Sequence, residues 1–462
     1  TKSCAISSEA NLWEGRSTAC FWPWPLLFCS PRCALSYIST TFTDKQHAPM
    51  PRILLQKAKL IQPGSHSGSP ETDILIEDGI IRSLGTPVSK DYDYLVSSPN
   101  LYVSAGFTDL RTHFTAPGTE HISSLEELAA TALQGGFTSL CLWGNKELTH
   151  NNREQVDYLA SRSGKQGVHW HVMGALTHDH KGKTLNEWHE MFLAGAAGFC
   201  NSSTGAESLP MLSIAMRYMK DFSGRLFLQC FHDPLQSNHL MYETPDALQK
   251  GIKGIPLYAE TAPLAAFLQL ISYEKQQVHL SALSTEEAVN MLQTNRREEV
   301  TCDVPVMSLF FAQEDAPMSE PEWKVFPPLP DKHMQHGLLQ AVAAGKVSAL
   351  SSMHTPVMPE EKQVEWQLAT AGANTLKYAF SLANTALGKH MHTEAIAALF
   401  TDGPSRILGK PGAPIAEGMP ANLCAFDPDA HTTVFTGSAL ERDAKGKILA
   451  CVSGTHFHLH ND

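Results

Sequence analysis

The sequence predicts an α/β fold: a (β/α)8 TIM barrel with a small β-sandwich domain formed from both chain ends. Three observations carry this. Strand-like apolar runs alternate with helical patterns from Gly106 to about Leu399. About eight such units over roughly 290 residues is what a parallel barrel requires. Short strand patterns without helices flank that stretch on both sides, and chain ends commonly lie close in space.

The 462 residues, 43% hydrophobic and 18% charged, are enough for a sizeable core. A net charge of −12 gives no broad basic face, which sets nucleic acid aside as a partner. No apolar run reaches the roughly 18 residues of a membrane span. Ten cysteines form no CxxC pair or regular framework outside the first 49 residues, so free thiols in a reducing cytoplasm are expected.

Residues 1–49 read as an atypical extension. The stretch from Ala19 to Cys29 mixes aromatics and prolines without helical or strand period. Met50-Pro51-Arg52 then opens a clean strand pattern, and the natural start is expected near Met50. Residues 50–104 and 410–462 are assigned to the small β domain and 105–409 to the barrel. Within the first of these, Ile53–Leu55 and Lys57–Ile61 read as strands, and Asp78-Gly79 between apolar runs reads as a hairpin turn. Ser123 with Glu126 and Ser124 with Glu127 are overlapping capping boxes. They open an amphipathic helix that Gly135-Gly136 ends. Buried strands follow at 137–143, 168–173, 198–201, 226–230, 277–281, 300–304 and 347–351. The C-terminal strands are expected at 422–427, 432–435 and 447–452.

Gly106-Phe107-Thr108-Asp109-Leu110-Arg111-Thr112-His113, followed by Pro117-Gly118, resembles the opening of dihydroorotases, members of the amidohydrolase superfamily. Gly135-Gly136-Phe137-Thr138, Val300-Thr301-Cys302-Asp303-Val304 and Lys324-Val325-Phe326-Pro327-Pro328-Leu329 extend the likeness in register. So do Gly403-Pro404-Ser405-Arg406-Ile407-Leu408-Gly409 and Glu417-Gly418-Met419-Pro420-Ala421-Asn422-Leu423. The wording is similar to a divergent branch of the kind found in Bacteroidetes. The resemblance implies a zinc-dependent hydrolase opening and closing a cyclic ureide. Its ligands would stand at the C-terminal ends of barrel strands, where a metal-activated water attacks the ring amide.

Carried over position by position, that site is largely replaced. The first histidine of the His-x-His pair is Arg111, which stays charged and has no lone pair to offer. The second is His113. The bridging acidic position falls at Asn201. The next ligand falls at Cys230, with His232 as a substitute, and the following one at His279. The aspartate that serves as ligand and proton shuttle falls at Met353, whose thioether is neither acid nor base. In the substrate grip Thr115 stands for an arginine and Met307 for a histidine, while Asn145 is retained. Arg111 and His354 are further candidates for holding substrate. The remnant metal set is therefore His113, His279, Cys230 and His232, and zinc is expected to be absent or weakly held. Alternatively, His113 and His279 are packed, hydrogen-bonded barrel histidines, Arg111 pairs with Asp109 or Asp303, and His354 caps a loop. His169-x-His171, His178-x-His180 and His456-x-His458-x-His460 are read as ordinary variation or adventitious chelators.

Three functions follow. One is a catalytically impaired dihydroorotase-like protein of pyrimidine biosynthesis, a structural partner of aspartate carbamoyltransferase. Another is an active metal-dependent cyclic amidohydrolase with a remodelled site. The third is a binder of a small anionic ligand at the barrel mouth through Arg111. The resemblance also implies a homodimer and a cytoplasmic location.

Overall fold

The computed structural model describes residues 50–460 apart from 63–69, 86–90, 115–121, 145–148, 202–207, 232–240, 250, 252–253, 296, 317–319, 411, 413 and 436–440. The N-terminal extension read from the sequence, and with it Cys4, Cys20, Cys29 and Cys33, lies outside the described residues, as do Thr115, Asn145 and His232.

Two sheets organise the chain. The first joins β1 (Ile53–Leu60), β2 (Glu71–Glu77), β3 (Ile80–Leu84), β4 (Tyr94–Val96) and β5 (Tyr102–Ala105) to three strands from the other end. These are β14 (Asn422–Phe435), β15 (Glu441–Ser453) and β16 (His456–Leu459). The order is β16-β15-β14-β5-β1-β2-β3, with β4 also paired to β1. The ends meet where Leu423 to Phe426 run antiparallel to Ala105 to Tyr102. Ile53, Leu55, Ile74, Val103, Leu423 and Val452 share one apolar core, which makes the two segments a single packing unit.

The expected hairpin forms at Asp78 and Gly79, with φ of 51° and 72°. Positive φ at both central residues matches the right-handed twist of the strands. A Cβ on Gly79 would lie 2.5 Å from the Gly454 carbonyl carbon, so glycine is also needed for close approach. Two sequence expectations change. The strand patterns at 53–55 and 57–61 are one strand, bent by a register shift after Leu55, with Lys57 at φ 53°. The patterns at 422–427 and 432–435 are likewise one strand, with a shift between Asp427 and His431. A bulge absorbs extra residues without ending the pairing.

The second sheet is the barrel. Its parallel strands run β6 (Phe107–His113), β7 (Phe137–Trp143), β8 (His169–Ala175), β9 (Gly198–Cys200), β10 (Leu226–Gln229), β11 (Val278–Ser281), β12 (Val300–Pro305) and β13 (Ala349–Ser351). The last strand nearly closes on the first. His113 N donates to His354 O at 2.8 Å, and Ser352 N donates to Asp109 Oδ1 at 2.7 Å.

Helices cover the outside. The helix Leu125–Gln134 carries one capping box, Ser124 with Glu127, rather than two. Gly136, at φ +83°, leads into β7, and a Cβ there would lie 2.5 Å from Cys424 Sγ. Outward strand residues such as Leu226, Leu228, Val278 and Leu280 join the helix layer. Leu110, Cys141, Trp143, Met173 and Phe227 fill the interior. Among the described residues no helix is long and apolar enough to cross a membrane, and the six described cysteines are free and buried.

Candidate functional site

Residues two apart on a strand face the same way. β6 breaks that alternation, its pairing with β7 shifting register between Asp109 and Thr112, and Asp109, Leu110 and Arg111 are all fully buried along it. Arg111 donates to Gln229 Oε1 at 2.6 Å and reaches Ser281 Oγ at 3.5 Å. Its guanidinium carbon lies 4.1 Å from the centre of the Trp143 ring. Burial lowers its pKa to about 10, which leaves it charged at neutral pH. Its Nε and the Gln229 Nε2 are buried without a hydrogen-bond partner.

The expected pairing of Arg111 with Asp109 or Asp303 is not what forms. Asp109 accepts from Thr112 Oγ1 at 2.5 Å and from Ser352 N and Oγ at 2.7 and 2.8 Å. Asp303 is bound to His279 Nε2 at 2.7 Å, Ser351 Oγ at 2.5 Å and Ala282 N at 3.1 Å. Hydroxyl and backbone donors reach both carboxylates directly, so the guanidinium turns to the Gln229 amide instead. Burial raises the Asp109 pKa to about 6 against those hydrogen bonds. For Asp303, burial pushes upward but the His279 hydrogen bond and charge hold it below the usual carboxylate value.

Asn201 does not face an open site. Its Oδ1 accepts from Gln229 N at 2.8 Å, and its Nδ2 donates to Gln229 O at 3.0 Å. Arg111, Gln229 and Asn201 thus form one buried chain of hydrogen bonds. Cys230 follows β10 on the opposite parity to Phe227 and Gln229. It packs with Leu226 and Leu228 towards the helices, not into the barrel. Burial raises its thiol pKa well above the ordinary value, with the Glu260 charge adding to this.

His279 faces the interior but stands second in β11, below Ser281. Both ring nitrogens are engaged, Nδ1 with Thr301 Oγ1 at 3.0 Å and Nε2 with Asp303. His113 ends β6, and its pKa falls to about 3. Burial is the main cause, followed by Arg111, His180 and His354. Met353 is buried with φ 55°, its thioether offering no proton. His354 is 4% exposed, and Leu376 N approaches its Nδ1 only at 3.5 Å. Among the described residues no group of three His, Cys, Asp or Glu side chains could hold a metal. The remnant set of His113, Cys230 and His279 is therefore not brought together.

The mouth does gather histidines that the sequence did not single out for it. His150 is fully buried, with Nδ1 2.9 Å from Met173 O and Nε2 unpartnered. His180 is 7% exposed, and neither of its ring nitrogens has a partner. Burial lowers the pKa of His150, His180 and His354 to about 4, with neighbouring charges adding to the effect at His180. His150, His180, Ala282 and Met353 all hold positive φ at or beyond strand ends. Left-handed backbone at non-glycine residues costs on the order of 1–3 kcal/mol each and clusters at functional sites. Gln229 and Trp143 were also missed. Strand parity counted from Phe227 would have put Gln229 inside, but His150 and His180 lie in connections that carry no period.

The family model and the sequence relatives point to dihydroorotases, and the solved structures to the hydantoinase fold. Residues 101–288 match a family model described as dihydro-orotase-like. The chain is 29% identical over 361 residues to a dihydroorotase of Ruminiclostridium cellulolyticum, covering 77% of this chain and 84% of that one. It is 27% identical over 375 residues to a dihydroorotase of Acetivibrio thermocellus, covering 79% and 88%. Among solved structures, the L-hydantoinase (dihydropyrimidinase) from Arthrobacter aurescens superposes with a TM-score of 0.73 at 18% identity, over 88% of this chain and 95% of that one. Dihydropyrimidinase from Brevibacillus agri gives 0.72 at 15% identity, over 89% and 95%. At these identities the structural matches speak for the fold alone.

Proposed function

From the premise that this chain is a dihydroorotase-like amidohydrolase, we propose that it serves pyrimidine biosynthesis without performing the ring-opening reaction. The observation that carries this reading is the buried guanidinium of Arg111. It stands where the family places a metal-binding imidazole, and Gln229, Ser281 and Trp143 hold it there.

The donor set does not fit a zinc centre. Zinc takes thiolate, neutral imidazole or carboxylate ligands. Asn201 spends its amide on Gln229, Cys230 is a core thiol, and Met353 stands at the position of the proton shuttle. His279 has both nitrogens committed. His113 alone is left of the described positions, and one imidazole neither localises a divalent ion nor supplies a base. No catalytic step is therefore derived through a metal. On this reading the role is structural, and the partner implied by the family is aspartate carbamoyltransferase.

A second reading has its own support. The unpartnered nitrogens of His150, His180, Arg111 and Gln229 leave the mouth short of hydrogen-bond partners. Buried polar groups are rarely left so, and a small polar anion would supply acceptors for the Arg111 Nε, the Gln229 Nε2 and one His180 nitrogen.

The deciding experiment is dihydroorotate hydrolysis and carbamoyl-aspartate cyclisation by the full chain with added Zn2+, with zinc content measured alongside. The expected result is no chelator-sensitive turnover and less than one zinc per chain. Chelator-sensitive turnover approaching the ~1 s⁻¹ lower end of ordinary enzymes would overturn the proposal. Co-purification with the carbamoyltransferase then tests the structural role, and a thermal shift with carbamoyl aspartate tests the second reading.

A further inference from the structure

A cavity of about 760 Å³ opens at the other end of the barrel, away from the histidine-lined mouth. Leu226, Val278 and Val300 begin β10, β11 and β12, and they line it together with the residues just before them: Arg225, Gln277 and Glu299. Ser348, just before β13, and the helix Asp402–Leu408 complete the wall. The cavity is thus the floor of the barrel, where structural rather than catalytic residues are the rule.

Its charge is out of keeping with the rest of the chain. Among the described residues Arg225, Arg297, Lys346 and Arg406 face it, against Glu298 and Glu299. That is an excess of two positive charges in a protein of net charge −12. Two of the cations lack a local role. Lys346 donates to Asn290 Oδ1 at 2.9 Å, and Arg406 Nε reaches Asp402 O at 3.3 Å. Arg225 and Arg297 form no side-chain hydrogen bond or ion pair among the described residues, although Glu298 and Glu299 line the same space. The Arg297 Nε is buried and unpartnered. Elsewhere Arg153 and Arg217 find carboxylates at 2.7 Å. Gln277, Gln293, Ser348 and Thr301 add neutral polar groups to the wall.

We propose that this floor cavity is a binding site for a small, multiply charged anion, a phosphate ester or polycarboxylate. Guanidinium presents paired donors matched to both oxyanion types. The volume lies within the range of about 300–1,000 Å³ typical of small-molecule sites. The site rests on neither reading of the mouth, and Phe227 and His279 form its inner wall towards the barrel interior.

Titration calorimetry of the full chain with inorganic pyrophosphate and with citrate, at fixed ionic strength, tests the proposal. Saturable binding of at least one anion is expected, and which one binds separates phosphate from carboxylate chemistry. Arg297→Ala and Arg225→Ala should each weaken binding at least tenfold. Arg153→Ala, which removes a surface cation already paired with Glu190, should leave it unchanged. If Arg225→Ala does not fold, because its side chain packs against Gly409, Arg297→Gln takes its place with the same expectation. Glu298→Gln should tighten binding, which a purely structural role for the arginines would not produce. Absence of saturable binding by both anions would overturn the proposal. So would binding that ignores Arg297, or that falls equally in the Arg153 variant.

Discussion

The two ends of this barrel treat buried charge in opposite ways. At the mouth Arg111 and Asp109, and one layer lower Asp303 and His279, are enclosed, and each is held by neighbours within the barrel. At the floor Arg225 and Arg297 face a cavity with no partner among the described residues. A charge removed from water must find compensation. The mouth supplies it from the chain itself, while the floor leaves it to whatever enters. The mouth answers its charged groups with neighbours of the chain yet keeps neutral nitrogens of His150, His180 and Gln229 unpartnered, whereas at the floor two guanidinium groups stand without a partner among the described residues.

The largest effect that sharpens this contrast is on stability. Arg111→Ala removes one of the largest fully buried side chains and orphans Gln229 Oε1. It should cost about 3–5 kcal/mol in chemical denaturation. Arg297→Ala, measured without added anion, should stay within ~0.5 kcal/mol, since its half-buried guanidinium has no partner to lose among the described residues. The reverse order would break the comparison.

A smaller effect is expected one layer lower. Asp303→Asn keeps shape but removes the charge that His279 Nε2 meets. A loss of about 1.5–3 kcal/mol is expected, the usual range for a hydrogen bond to a charged group. No change in the denaturation midpoint would mean that the pair is not charge-assisted.

The mildest test is pH. His113, His150, His180 and His354 have folded pKa values of about 3, 4, 4 and 4, below the ordinary 6.5. Their contribution is present above 6.5 and is lost as pH falls towards 4. Asp109 and Glu260 are raised to about 6 and about 7, burial being the cause in each. Their contribution is present below the ordinary values of 3.8 and 4.5 and is lost as pH rises through 6 to 7. Near pH 5 the unfolded chain gains four protons at the histidines while the folded chain keeps two at the carboxyls. Stability should therefore rise from pH 5 to 6.5, and His180→Gln should flatten that rise. A melting temperature independent of pH over this window would show that the mouth histidines are not buried neutral.

Much of the fold was legible. Apolar runs alternating with helical patterns placed seven of the eight barrel strands, the first (Phe107–His113) being reached only through the family resemblance, and Asp78-Gly79 placed the hairpin. Long strands were cut short where bulges interrupt the pattern, because at a bulge the period fails while pairing continues. Of the site, the family resemblance alone named Arg111, Asn201 and Met353, and the structure adds that Arg111 and Asn201 are buried and bonded to Gln229. Ligand grouping could not. Cys230 is one residue from Gln229, and that single step decides between the helix layer and the barrel interior.

The sequence by itself determined a parallel barrel tied to a sheet from both chain ends, and the side-chain chemistry available at each strand end. Periodicity and local turn geometry are properties of neighbouring residues, so a linear reading reaches them. Only the tertiary structure decided that Arg111 bonds to Gln229 rather than to an aspartate, and that His150 and His180 come to the mouth. It alone assembled a cationic floor from Arg225, Arg297, Lys346 and Arg406. These residues precede or follow different strands and become neighbours only when the barrel closes, which no local pattern records.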